Sequence, residues 1–286
     1  MCDDLTEADN ERFLADAMTR RGFGAAAAAA GIGLLLPVPA NALAIKGRDV
    51  TITTPDGIAD AYFVAPAAGK HAAVLVWPDI MGLRPAFRQM ADRLAQSGYA
   101  VLTVNQFYRS TRAPFVTPGQ GFDAVLGEKV GPWRTLLTPD ATARDAATFV
   151  AWIDKQPEVN RKRGIGSTGY CMGGPMVMLT AAGSPARVRA GATFHGGGMA
   201  TDEMLARVPR MKASYLVAIA ANDDAKAPGD KDRLRAAFAA AKLPAEIEVY
   251  PGTLHGWCPP DSKAHDPAQA DRAWERLLAL FGKALA

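Results

Sequence analysis

Three short segments of this 286-residue chain hold the side chains best suited to covalent catalysis. The first is Gly169-Tyr170-Cys171-Met172-Gly173-Gly174, where a thiol stands among small residues at the point an apolar run gives way to a helical pattern. A nucleophile on such a strand-to-helix turn sits on a strained backbone, and the glycines let strand and helix approach while its side chain projects at the helix N-terminus. The positive end of the helix dipole there lowers a thiol pKa from about 8.5 and favours the thiolate. The second segment is Asn222-Asp223-Asp224-Ala225-Lys226-Ala227-Pro228, and the third is Pro251-Gly252-Thr253-Leu254-His255-Gly256-Trp257. In chain order they supply nucleophile, acid and histidine: Cys171 to attack an acyl carbon, His255 to move the proton, and a carboxylate to fix the His255 tautomer. Of the two adjacent carboxylates Asp224 is preferred over Asp223, because its spacing to Pro228 suits a loop turning away from a strand end. His195, in Phe194-His195-Gly196-Gly197-Gly198, is the competing histidine and reads as lining the strand edge, in a structural or substrate-facing role.

The elements that must position these groups follow from periodicity. Asp49 to Thr54 and Ile58 to Val64 alternate around Pro55-Asp56-Gly57, which predicts a hairpin or two edge strands. Beyond them, continuous apolar runs at 72–77, 99–104, 164–169, 190–194, 215–220 and 246–250 interleave with helical spacing at 85–96, 141–155, from 172, 231–241 and 267–284. Strand runs that are apolar throughout belong in a parallel sheet covered on both faces, with active groups at the carboxyl ends of the strands. The expectation is therefore one three-layer α/β domain with a mostly parallel central sheet. The stretch from Gln106 to Pro139, with four prolines and four glycines and no clear period, reads as a lid or a surface excursion.

Composition limits the alternatives. With 49% hydrophobic and 21% charged residues the chain is too apolar to be disordered. A formal charge of +3 and no basic stripe interleaved with aromatics argue against a nucleic-acid partner. Three cysteines, at positions 2, 171 and 258, are too few for a disulfide framework and too far apart for a redox or zinc pair. Cys258 is expected to pack in the interior rather than to cross-link to Cys171. No metal or organic cofactor is expected, since no His/Cys/Asp cluster has ligand spacing and Gly196 to Gly198 lacks the dinucleotide fingerprint.

The N-terminus reads as an address. Thr19-Arg20-Arg21-Gly22-Phe23 precedes an apolar run from Ala25 to Leu36, then Pro37-Val38-Pro39 and small-residue tripeptides ending at Ala44. Twelve residues make about 18 Å of helix against a hydrocarbon core of about 30 Å, too short for a stable span. The pattern resembles a twin-arginine export signal, which implies the twin-arginine machinery as partner of the precursor, removal of residues 1–44 and a periplasmic domain of residues 45–286. The removed part holds six acidic and three basic side chains, so the domain left behind is mildly basic.

Over most of residues 50 to 284 the chain resembles the dienelactone hydrolase family, cysteine enzymes of the α/β-hydrolase fold. The family pattern G-[FY]-C-x-G-G matches Gly169 to Gly174, D-x-x-x-P matches Asp224 to Pro228, and H-G-[FW] matches His255 to Trp257. The family also places a carboxylate before Ile and Gly after the first central strand, where this chain has Asp79-Ile80-Met81-Gly82 and a glutamate is commoner. Phe107-Tyr108-Arg109 is similar to the family segment whose arginine pairs with that acid or with a substrate carboxylate. The resemblance implies a hydrolase of a small ester or lactone, anionic ones included, through an acyl thioester; separately, the chain is expected to act as a monomer. Cys171, Asp224 and His255 would be its triad, the N–H groups of Ile80 and Met172 its oxyanion hole, and Asp79, Tyr108 and Arg109 its substrate contacts. Two departures stand out: Asp79 is one methylene shorter than glutamate, and Pro259 occupies the position of a second arginine in the enzyme that names the family. The alternatives are acyl transfer or thioester cleavage on the same triad, and a non-catalytic secreted binding protein that keeps only the fold.

Overall fold

The computed structural model describes residues 6–20, 36–37, 39–117 and 119–286. In chain order the elements are α1 (Thr6–Arg20), β1 (Ile45–Thr54), β2 (Gly57–Pro66), β3 (Ala73–Trp77), α2 (Pro85–Gln96), β4 (Ala100–Val104), α3 (Ala124–Arg134) and α4 (Pro139–Ile153). They continue with β5 (Ile165–Tyr170), α5 (Gly173–Gly183), β6 (Val188–Phe194), α6 (Asp202–Leu205), β7 (Ser214–Ala220), α7 (Ala221–Lys226), α8 (Asp230–Ala240), β8 (Ala245–Tyr250) and α9 (Pro267–Ala284). The arginine pair and apolar run of the expected export signal lie outside the described residues, apart from Arg20, which ends α1, and Leu36.

The strands form one sheet in the order β1-β2-β4-β3-β5-β6-β7-β8. Thr54 pairs with Gly57 across the tight turn that Pro55-Asp56-Gly57 predicts, so β1 and β2 are an antiparallel hairpin at one edge. From β4 onward all strands are parallel. The continuous apolar runs have the cause expected of them, because each central strand is covered on both faces. In β3, Leu75 and Trp77 share a cluster with Phe149 of α4, Val177 of α5 and Phe238 of α8. The alternate residues Val74 and Val76 point the other way, into a cluster with Phe87 of α2 and Phe281 of α9. Each such side chain contributes about 1.5–3 kcal/mol on burial, so both layers are anchored through a strand with no polar face to turn outward.

This topology decides where chemistry can occur. The carboxyl ends of β3, β5, β6, β7 and β8 lie side by side, and the loops after them carry Asp79, Cys171, His195, Asp223 and His255.

Two segments depart from the expectation. The aperiodic stretch 106–139 contains α3, with Asp123 capping it by accepting from Leu126 N at 2.8 Å. Its apolar stripe is thin, with Leu126, Gly127 and Val130 buried and Pro132 in its last turn, so it leaves little trace in the sequence. The acid segment after β7 is likewise a helical turn, α7, and not an extended loop.

Candidate active site

Cys171 sits at φ 55°, in the left-handed region, between the last residue of β5 and the first turn of α5. Two hydrogen bonds hold this turn: Cys171 N donates to Phe194 O at 3.0 Å, and Gly174 N donates back to Cys171 O at 3.0 Å. The flanking glycines are there for close approach. A Cβ on Gly169 would lie 2.2 Å from Gly173 O, and one on Gly173 would lie 2.3 Å from Trp77 O. Either side chain would push β5, α5 and β3 apart and move the sulfur. Cys171 is held in a disulfide, and Cys258 is a free, buried thiol whose pKa burial raises well above its ordinary value.

His255 is brought to the same cleft by the loop after β8. Its backbone N donates to Asn222 Oδ1 at 2.8 Å, and its ring Nδ1 lies 2.8 Å from Asp223 Oδ2. A carboxylate only accepts, so Nδ1 carries the proton and Nε2 is the nitrogen available for proton transfer. The acid partner is thus Asp223, not Asp224. Consecutive residues on a helix point about 100° apart, and in α7 that phase aims Asp223 at His255 and Asp224 at the next helix, where Lys231 Nζ donates to Asp224 Oδ1 at 2.6 Å. The spacing to Pro228 assumes a loop and misses this phase.

His195 also lines the cleft, at φ 43° and 1% exposed. Its ring centroid is 5.0 Å from that of His255 and 5.1 Å from that of Trp257, and among the described residues neither ring nitrogen has a hydrogen-bond partner. Burial, with a smaller contribution from His255, pushes its pKa well below the ordinary histidine value, so the ring is neutral. It is an aromatic wall of the site with unspent polar atoms.

Asp79 and Ile80 line the cleft, and Met172 is the N-cap residue of α5. Among the described residues the N–H groups of Ile80 and Met172 donate to no acceptor. Asp79 belongs to a buried ion cluster that the sequence reading missed. Arg84, 3% exposed, donates from Nη1 and Nη2 to Asp79 at 2.6 and 3.0 Å, from Nε and Nη2 to Asp261 at 2.7 and 2.9 Å, and from Nη1 to Gly82 O at 3.4 Å. Those contacts use all five of its N–H donors. Burial opposes the Arg84 charge, but Asp79 and Asp261 together outweigh it and hold the guanidinium pKa above its ordinary value. The only sequence signal for Arg84 was its place five residues after Asp79, at the start of α2; nothing marked Asp261.

The arginine expected to face Asp79 is elsewhere. Arg109 makes a bidentate pair with Asp145 at 2.7 and 2.9 Å and a further bond to Asp56, and it lies over the ring of Tyr108. Tyr108 Oη donates to Asp145 Oδ1 at 2.7 Å and lies 2.8 Å from Thr54 Oγ1. Both side chains are committed to α4 and the β1–β2 turn, and neither lines the catalytic cleft. The cause is the tight turn after β4, where Phe107 N bonds Asn105 Oδ1 at 3.0 Å and Ser110 N bonds Phe107 O at 2.8 Å. That turn sends Phe107 toward the elbow, in a cluster with Ile80 and Cys171, and sends Tyr108 and Arg109 away.

The cleft is open to solvent, with about 110 Å³ of sheltered space. Gly121 and Phe122 close one side from the 106–139 stretch, and Thr6 and Asn10 of α1 close another.

The model of the dienelactone hydrolase family matches residues 59–285. A carboxymethylenebutenolidase of Rhodococcus opacus is 26% identical over 223 residues, covering 76% of this chain and 83% of its own. Among solved structures, a dienelactone hydrolase-like promiscuous phosphotriesterase from metagenomic libraries has a TM-score of 0.72 at 23% identity, over 85% of this chain and 100% of that one. A dienelactone hydrolase from Anabaena variabilis has a TM-score of 0.63 at 17% identity, over 85% of this chain and 99% of that one. These two share its α/β-hydrolase fold.

Proposed function

Because the chain belongs to the dienelactone hydrolase family, we propose that it hydrolyses small, uncharged carboxylic esters or lactones, with reduced Cys171 as nucleophile and His255 and Asp223 as its proton relay. His255 Nε2 takes the thiol proton while Asp223 steadies the imidazolium through Nδ1. The thiolate sulfur bonds the carbonyl carbon, and the N–H groups of Ile80 and Met172 receive the resulting oxyanion. His255 then gives its proton to the leaving alkoxide as the C–O bond breaks, which leaves an acyl thioester. Water, deprotonated by His255, attacks that thioester; the carboxylic acid departs and the thiol is restored. The observation that carries this reading is the Asp223–His255 hydrogen bond of 2.8 Å on a histidine that shares its cleft with a strained strand-end cysteine.

Arg84 supports the uncharged substrate class. A bidentate clamp on a substrate carboxylate takes an arginine with donors to spare, and every donor of Arg84 is engaged by Asp79, Asp261 or Gly82. Arg109 is engaged outside the cleft, and residue 259 is proline. Asp79 is bound in the same cluster, so the thiolate depends on His255. Export by the twin-arginine machinery and a periplasmic site of action belong to the proposal too. Arg20-Arg21 ahead of an apolar run supports them, as does a first strand that begins at Ile45, directly after the expected cut.

The test is hydrolysis, under reductant, of short neutral aryl esters and of a dienelactone bearing a carboxylate by the full chain, beside Cys171→Ala. We expect neutral esters to be turned over at least about tenfold faster in kcat/KM than the anionic lactone, and the variant to lose at least about 10³-fold. A Cys171→Ala protein that keeps its turnover would overturn the mechanism, and a preference for the anionic lactone would overturn the substrate class.

A further inference from the structure

All strands from β3 to β8 run parallel, so their amino ends share the edge of the sheet opposite the catalytic cleft. The segments that lead into or begin these strands, 67–72, 97–99, 154–164, 184–189, 210–213 and 241–244, hold ten basic and two acidic side chains. At the carboxyl edge the segments 78–84, 105–123, 171–172, 195–201, 221–229 and 251–266 hold six acidic and five basic ones. The formal charge of the whole chain, +3, hides this division, because the basic residues are scattered in sequence and gather only when parallel pairing brings the strand ends to one side.

The cations at the amino edge are left over after the fold has used what it needs. Arg187 donates to Asp154 at 2.7 and 2.9 Å and Arg48 to Glu158 at 2.7 Å, which engages both carboxylates of these segments. Glu246, at the start of β8, is held by Arg276. Lys70, Lys155, Lys162, Arg189, Lys212 and Lys242 are exposed, and among the described residues none of them has a carboxylate partner. Helix ends explain only part of this. A cation is favoured at the negative C-terminal end of a helix, which suits Lys155 after α4 and Lys242 after α8. Lys70 follows a strand, Arg189 lies within β6, and Lys162 and Lys212 stand just ahead of β5 and β7. With neighbouring strands about 4.8 Å apart, the stretch from β3 to β8 spreads these charges along a band roughly 19 Å wide.

The form of the band selects its partner. A binder of single-stranded nucleic acid pairs its cations with aromatic platforms, and the one aromatic side chain in the six segments, Tyr99, is buried. The charges are spread along an edge and not gathered round one point, which suits a surface carrying many phosphates over a single anion. We propose that the amino edge of the sheet is an electrostatic docking face for an anionic phospholipid surface, which leaves the catalytic cleft turned toward the solution. Each lysine or arginine near such a surface adds to the attraction, and the attraction fades within a Debye length. Docking of this kind is independent of the chemistry at Cys171.

The test is co-sedimentation of the full chain with vesicles of phosphatidylcholine, alone or with about 40 mol% phosphatidylglycerol. Wild type should sediment with the anionic vesicles and stay in solution with the neutral ones. Raising salt from about 0.1 M to about 1 M shortens the Debye length from about 10 Å to about 3 Å and should release at least about nine-tenths of the bound protein. Binding to both vesicles alike, binding to neither, or binding that survives the salt would overturn the proposal. The double variant Lys162→Glu/Lys212→Glu should partition at least about tenfold more weakly, whereas Arg112→Glu/Lys129→Glu, the same change of charge on exposed residues beyond the carboxyl edge, should stay within about threefold of wild type. Equal losses would mean that overall charge, not this face, drives binding. Tighter binding to a short DNA duplex than to the anionic vesicles at equal salt would reassign the face to nucleic acid and overturn the lipid surface as its partner. Circular dichroism shows whether each variant is folded, and the salt series on wild type decides the proposal even if one is not.

Discussion

The turns that follow β4 and β5 both looked functional, and they do opposite things. After β5 the chain enters the left-handed region at Cys171 and projects the sulfur into a cleft, beside a histidine that has its own acid. After β4 a tight turn aims Tyr108 and Arg109 sideways at Asp145 and Asp56, where every charge finds a protein partner. The first arrangement leaves polar capacity turned toward the cleft, in backbone N–H groups and His195 nitrogens that have no partner among the described residues. The second uses its capacity up within the fold. A charged residue at a strand end is a candidate for catalysis only while its donors or acceptors remain unspent.

The sharpest way to break this contrast is to exchange partners at the histidine. Asp223→Asn should lower kcat by about 10²–10⁴-fold, because the amide cannot hold the productive tautomer or steady the imidazolium, while Asp224→Asn should stay within about threefold. Steady-state kinetics on one neutral ester decides between them, and equal losses would mean that α7 turns its other carboxylate inward in the working enzyme.

On the β4 side the expected effect is on stability. Arg109→Leu leaves Asp145, whose side chain is 2% exposed, without its bidentate cation, and breaking a buried pair from one side costs about 3–5 kcal/mol. The denaturation midpoint should therefore fall while KM for a neutral ester holds. A raised KM at an unchanged midpoint would restore Arg109 to the substrate.

The smallest effect concerns His195. Its ring is held neutral in the fold by burial first and by His255 second, whereas in the unfolded chain it takes up a proton near the ordinary histidine value of 6.5. Below that value the unfolded state binds more protons than the native one. The stabilising contribution is therefore full above pH 6.5 and is lost as pH falls toward the native pKa, at up to about 1.4 kcal/mol per pH unit. His195→Asn keeps a residue that tolerates positive φ and removes the titration, so its acid limb in urea denaturation between pH 6.5 and 5 should be shallower than that of wild type. Parallel limbs would mean that the imidazole is protonated in the native cleft.

Much of this was legible in the sequence because it is local. The elbow reads from six consecutive residues, since the close approach of β5, α5 and β3 excludes side chains at Gly169 and Gly173 whatever else surrounds them. The parallel sheet reads from apolar runs, since a strand covered on both faces has no polar position to spare. His255 reads from its place after the last strand. The helix α3 did not read, because only a narrow stripe of it is buried and its last turn holds a proline.

What the chain determines alone is thus the order of elements and the strand ends that can meet; what only the tertiary structure decides is which charge faces which. Asp223 displaces Asp224 by one step of helical phase, a rotation that a motif with variable positions does not record. Arg84 displaces Arg109 as the partner of Asp79 because Asp261, 177 residues further along, arrives on its other side. Coulomb attraction acts through space and takes no account of sequence separation, so the pairing of buried charges appears only when the strands and helices have been brought together.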